Sequence, residues 1–305
     1  YTEEFNTFLE AIQLKAGAAN VSYIPGVSYI NEGKYFEEKE DQWDAAIQAA
    51  RRADRIILFV GENSYTEKPG DLNDLTLSPL QTRFAHELIK TGKPVILVLN
   101  QGRPRTIATV EPGVKAIINT YLPGNYGADA LADILYGDVN PSGKLPFNYP
   151  RYPNALVNYY HKPSEEQNPA AGAYNYESDY NPQYEFGFGL SYTNFSYSNL
   201  KTSAKTFGPN DELTISVDVT NTGTREGKES VLLYSSDLYA SLSPDVKRLR
   251  RFEKINLKPG ETKTVTFTLK AKDLAFVNTN SEWVTEPGEF ELMAGDQKIK
   301  ITYKN

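Results

Sequence analysis

Glu62, Glu67 and Asp71 fall within ten residues of one another in the segment Gly61-Glu62-Asn63-Ser64-Tyr65-Thr66-Glu67-Lys68-Pro69-Gly70-Asp71. The segment follows the apolar run 55–60 (RIILFV), which reads as a strand. A carboxyl group in such a loop can move protons. Glycoside hydrolysis, for example, needs two carboxyl groups flanking the scissile bond. The same pattern also describes an ordinary solvated acidic loop. Other chemistries are excluded by composition. With no cysteine there is no thiol nucleophile, disulfide scaffold or Cys-ligated zinc, and with only His86 and His161 there is no multi-histidine metal site. The loop is not G-x-G-x-x-G, and no glycine-rich phosphate cradle follows any other strand, which argues against dinucleotide binding. The net charge of −7, from 39 acidic and 32 basic residues, argues against a nucleic-acid binder. The chain has no apolar run of about 18 residues that would span a membrane.

The elements that would carry this loop alternate between helix and strand. Phe5, Phe8, Leu9 and Ile12 keep a helical period from the first residues, and the opening YTEEFNTFLEAI has neither the basic start nor the apolar core of a secretory leader. Trp43, Ala46, Ile47 and Ala50 form a second helical stripe that ends before the 55–60 strand, which is expected to be buried on both faces. Ser78 fits an N-cap, Pro79 the first helical position and Gln81 the partner in a capping box. Leu80, Phe84 and Leu88 face inward and Gly92 closes the helix. Strands follow at 93–100 and 114–121, with a short helical turn between them, and then a helix at 127–136. This rhythm predicts an α/β domain over 1–150 with a mostly parallel sheet. An irregular segment rich in tyrosine and proline, 151–190, comes next; its aromatics favour packing over disorder. From 191 to 305 the period is two, as in Leu213, Ile215, Val217 and Val219, with turns at 221–223, 258–260 and 286–288. That pattern predicts an antiparallel β-sandwich of immunoglobulin or fibronectin type III kind.

Four motifs stand in order along the chain. They are 60–77 (VGENSYTEKPGDLNDLTL), 121–124 (YLPG), 137–146 (GDVNPSGKLP) and 186–193 (FGFGLSYT). Together they resemble the C-terminal portion of glycoside hydrolase family 3, closest to its bacterial β-glucosidases and exo-β-glucanases. The family builds a (β/α)8 barrel, an (α/β)6 sandwich and a fibronectin type III-like domain. The resemblance implies that this chain enters the (α/β)6-type domain after its first strand and lacks the barrel. It also implies a retaining mechanism in which Glu67 is the general acid/base, with Glu62 the runner-up. Pro69 and Gly70 then form the turn that aims Glu67, and Asp71 shapes the loop by accepting hydrogen bonds from the backbone or Lys68. The aspartate nucleophile is expected on the barrel. Ser178-Asp179 only superficially resembles it, lying where the family has no catalytic group.

The implied function is hydrolysis of terminal β-D-glucosyl residues from β-glucosides or β-glucan oligosaccharides, with no cofactor and no metal. The partner is the N-terminal barrel, without which the chain should be inert, and a secreted or periplasmic location follows from the family. The alternatives are a non-catalytic carbohydrate-binding or interaction module and a β-xylosidase specificity; a loop with a glutamate at position 67 argues against the histidine-using glucosaminidase branch. His86 reads as a surface or capping group and His161 as packing. The basic run 247–251 (KRLRR) reads as a solvated or edge-protecting stretch. Trp43 and Trp283 are both expected to pack, Trp283 as core or cap of the sandwich.

Overall fold

The computed structural model describes residues 4–65, 70–165 and 181–305. It divides into two compact units, one of residues 1–139 with 150–156, the other of residues 140–149 with 157–305.

The first unit is α/β. Helix α1 (Phe8–Ala16) starts later than the apolar period suggests, because Thr7 caps it in a reciprocal box with Glu10 and leaves Phe5 outside. Strands β1 (Gly26–Tyr29) and β2 (Glu38–Asp41) form an antiparallel hairpin. Helix α2 (Trp43–Arg52) leads to β3 (Ile56–Gly61), helix α3 (Pro79–Ile89) to β4 (Val95–Asn100), and β5 (Ala116–Asn119) to helix α4 (Gly127–Tyr136). Strands β3, β4 and β5 make a parallel sheet in sequence order. The central strand β4 is buried on both faces, with Val95, Leu97, Val98 and Leu99 all in the core. Strand β3 lies at an edge of this sheet, so Leu58 and Val60 are buried while Phe59 is exposed on the other face and meets Phe8 of α1. Helices α1 and α4 pack through Ala11, Ala128 and Ala132, small residues that allow close approach, and Asn6 donates to Asp129 at 2.8 Å.

The second unit is all-β. Strands β6 (Phe195–Thr202), β7 (Thr206–Phe207), β8 (Glu212–Asn221), β9 (Gly227–Asp237), β10 (Arg248–Leu257), β11 (Thr262–Lys270), β12 (Phe276–Val277), β13 (Trp283–Val284), β14 (Gly288–Ala294) and β15 (Gln297–Tyr303) follow in turn. One sheet runs β10-β9-β14-β15-β7 and the other β11-β8-β6. Their inward positions share one core, in which Leu213, Ile215, Val217 and Val219 face Val231, Leu233, Phe290 and Leu292. The basic run lies on β10, an edge strand. There Arg251 pairs with Asp273 and Arg248 with Asp245, in keeping with edge protection. Trp283 departs from its expected packing: it is 71% exposed on the short β12–β13 hairpin, whose two-residue strands are too brief to cover an indole.

The segment 140–149 belongs with the β unit because its polar groups are satisfied there. The Asn140 side chain accepts from the Ser191 hydroxyl and the Tyr192 amide and donates to the Glu226 carbonyl. The 143–146 and 186–189 motifs hydrogen-bond to each other, Leu145 N–H to the Phe188 carbonyl and Gly187 N–H to the Leu145 carbonyl. The described part of the tyrosine-rich stretch packs as expected: Tyr159 stacks on Phe186 at 4.3 Å, and both meet Tyr234 of β9 edge-on. His161 contacts the Asn158 carbonyl through Nδ1.

Candidate acid/base loop

Parallel pairing of β3 with β4 puts their carboxyl ends at one edge of the sheet, the usual position for ligand loops in α/β folds. The loop after β3 begins at Gly61, whose φ of +143° suits only glycine. A Cβ there would also come within 2.1 Å of the Asn100 carbonyl oxygen. Gln81 fixes this exit. Its side-chain oxygen accepts from Gly61 N–H at 2.8 Å, and its Nε2 donates to the Gly61 carbonyl and to Glu38. Ser78 caps α3 as expected, donating to Glu38 while accepting from Leu80 and Gln81 N–H. The expected capping box is not closed by Gln81, because its amide is taken up by Gly61 and Glu38. Tyr29 adds its hydroxyl to the Gly61 carbonyl at 3.1 Å. Burial, then the charge of Glu38, pushes its pKa up to about 12.

The Glu62 carboxylate is only 2% exposed and lies among cations. Arg103 reaches it with Nε at 2.9 Å, Nη2 at 2.8 Å and its own backbone N–H at 3.2 Å, and Arg105 with Nε at 2.8 Å. Pro104 between the two arginines fixes φ, and Arg105 N–H donates to the Arg103 carbonyl, so both guanidinium groups turn toward one carboxylate. Burial works to lower the Arg103 pKa, but the hydrogen bonds and charge of Glu62 outweigh it, and the net shift is upward. Held by two guanidinium groups, Glu62 is placed to anchor the start of the loop.

The far side of the loop is tied to the same two arginines. Arg103 donates through Nη1 to the Gly70 carbonyl and stacks over the Tyr65 ring, 3.8 Å from its centroid. Tyr65 fits there because Gly102 has no side chain; a Cβ at that position would lie 2.2 Å from the Tyr65 hydroxyl. Tyr35 from the β1–β2 connection also donates to the Gly70 carbonyl, at 3.2 Å. Arg105 donates to the carbonyls of Asp74 and Thr76, and Thr76 bridges to Thr106 in parallel register. Asp71 is exposed. Asp74 turns the loop, accepting from the Thr76 N–H and hydroxyl, which hold its pKa below the ordinary value.

Glu67, Pro69, Lys68 and the Ser178-Asp179 pair lie outside the described residues. Gly70 is buried beside Tyr65. The motifs read from the sequence do not include Arg103 or Arg105. Their available signal was 102–105 (GRPR), a glycine, a proline and two cations directly after a buried strand. Among the described residues, no cluster of His, Asp or Glu has the form of a metal site, and no helix is long and apolar enough to cross a membrane.

Residues 1–192 match the glycosyl hydrolase family 3 C-terminal domain, and residues 229–298 match a fibronectin type III-like domain. A periplasmic β-glucosidase of Salmonella typhimurium is 38% identical over 265 residues, covering 85% of this chain and 35% of the relative. A β-xylosidase of Formosa agariphila is 41% identical over 252 residues, covering 82% and 35%. The structure of a β-glucosidase from Erythrobacter marinus superposes with a TM-score of 0.85 at 32% identity, covering 98% of this chain and 43% of that one. The chain thus spans about a third of the length of the curated relatives it matches. With its parallel α/β unit and following β-sandwich, the chain belongs to glycosyl hydrolase family 3, as that family's C-terminal domain with a fibronectin type III-like domain.

Proposed function

We propose that this chain supplies the general acid/base of a retaining, exo-acting β-glucosidase, and that Glu67 is the group. The observation that supports this best is the loop itself. Both of its shoulders are tied down by Arg103 and Arg105, and its other candidate carboxylate, Glu62, is committed to those arginines. Glu67 then protonates the glycosidic oxygen as the C1–O bond breaks and a nucleophilic carboxylate from outside these residues bonds to C1. In the second half it takes a proton from the water that displaces the enzyme carboxylate. Burial of the loop against a barrel domain, together with the negative nucleophile, raises the Glu67 pKa into the range the first step needs. The N-terminal barrel is the partner in this reading, and this chain alone turns over no substrate. A location outside the cytoplasm is supported by the relative named as periplasmic.

Glucosides are favoured because β-glucosidases recur among the relatives and solved structures. The 41% identical β-xylosidase supports a second reading, in which the sugar is a pentose. Steady-state kinetics on aryl β-glucosides and β-xylosides decide between them in the enzyme that contains this chain. In that enzyme Glu67→Gln is expected to lower turnover of substrates with poor leaving groups by about 100-fold or more. Azide should restore turnover of activated ones, because it needs no deprotonation to attack C1. If Glu62→Gln shows that pattern and Glu67→Gln stays near wild type, the role passes to Glu62.

A further inference from the structure

We infer that Arg103 is a positioning residue for proton transfer and holds the acid/base loop in register by gripping it on both sides. The inference rests on the reading of Glu67 as acid/base. Arg103 meets the loop at three points of its guanidinium group. Nε donates to the Glu62 carboxylate before residues 66–69, Nη1 donates to the Gly70 carbonyl after them, and the flat face lies on Tyr65 at 3.8 Å. One rigid, planar cation therefore sets the spacing between the two ends of the short segment that contains Glu67. A lysine, with a single donor centre on a flexible stem, cannot make the two directed contacts and the stacking together. Arg103 in turn stands on a fixed base. It stands three residues beyond the end of the buried strand β4, Pro104 stiffens its backbone, and its own N–H is bound to Glu62.

A second feature supports a role beyond holding the fold. Arg105 already neutralises Glu62 through Nε at 2.8 Å and separately ties down Asp74 and Thr76. Arg103 is thus not required as the sole counter-ion of the buried carboxylate. What Arg103 adds, and Arg105 does not, is the bond to Gly70 and the stacking on Tyr65, the two residues that bound the segment.

Displacing a catalytic group by about 1 Å can cost on the order of 100-fold in rate without touching the chemistry. The test is a leaving-group series of aryl β-glycosides on the full-length enzyme, comparing wild type, Arg103→Ala, Arg103→Lys and Glu67→Gln. Arg103→Ala is expected to lower kcat/KM for phenyl glycosides by about 100-fold and for dinitrophenyl glycosides by less than about 5-fold, because only the former need the proton. Its dependence on leaving-group acidity should steepen toward that of Glu67→Gln, with azide accelerating turnover of the activated substrate and Arg103→Lys falling between. An equal loss across the series with no azide response would overturn the inference, since that is what general damage to the fold produces. If Arg103→Ala does not fold, Arg103→Lys, which keeps the charge, carries the same comparison. A flat series for Glu67→Gln would instead remove the underlying acid/base reading, so the two failures are distinguishable.

Discussion

Glu62 and Glu67 are the same residue type, five positions apart in the sequence. Glu62 is fixed by three nitrogen donors from two arginines, one of them a backbone N–H, and so serves to anchor the loop. The residue that makes room for this arrangement is Gly61. Its positive φ and its approach to the Asn100 carbonyl leave no space for a side chain. Gly61→Ala is expected to destabilise the α/β unit by roughly 2–5 kcal/mol, the combined cost of an unfavourable backbone region and a backbone clash. A urea unfolding midpoint within error of wild type would contradict this. Glycine followed by glutamate at the end of an apolar run is visible in the sequence. That the glycine is obligatory emerges only when β4 lies alongside.

At the scale of elements, the 137–146 motif that helps identify the family works in packing. Lys144 donates to the Gly189 carbonyl at 2.6 Å and pairs with Glu229 at 3.3 Å, and Glu229 accepts from the Tyr197 hydroxyl at 3.0 Å. Burial, then the charge of Glu229, holds the Tyr197 pKa well above its ordinary value. Lys144→Met would leave Glu229 without its cation in a largely buried position. We expect a loss of about 2–3 kcal/mol, below the full cost for an entirely buried pair because both groups keep some solvent contact. Chemical denaturation followed by near-ultraviolet circular dichroism checks this, and Lys144→Arg should recover part of the loss. Strand periodicity made β8 and β11 legible in the sequence, since alternation there reports one buried face directly. It could not place 140–149, a segment with no period whose destination is set by side-chain hydrogen bonds to Ser191, Tyr192 and Glu226.

For the whole molecule, 21 tyrosines make alkaline pH a discriminating variable. Tyr29 in the α/β unit and Tyr234 in the β unit are both pushed up to about 12, each chiefly by burial. A group whose folded pKa is raised contributes stability that is complete below its unfolded value, about 10 for tyrosine, and that is lost as pH rises through the folded value. Both units should therefore lose stability between about pH 10 and pH 12. Urea midpoints measured at intervals from pH 8 upward check this. Tyr234→Phe should flatten the alkaline loss in the β unit while leaving that of the α/β unit in place. A midpoint independent of pH above 10 in the wild type would show that neither phenol is held neutral by the fold.

Sequence alone determined the class of both units, because a 3.6-residue period, a continuous apolar strand and a two-residue alternation are local consequences of which face is buried. Its composition also excluded thiol and multi-histidine chemistry, and the resemblance of its motifs to the family pointed to one acidic loop. Tertiary structure decided what the loop is tied to. Arg103 and Arg105 stand about forty residues from Glu62, and only the parallel register of β3 and β4 brings them onto it. A buried ion pair of that separation leaves no period in the sequence, because it is a relation between two strand ends and not a property of either.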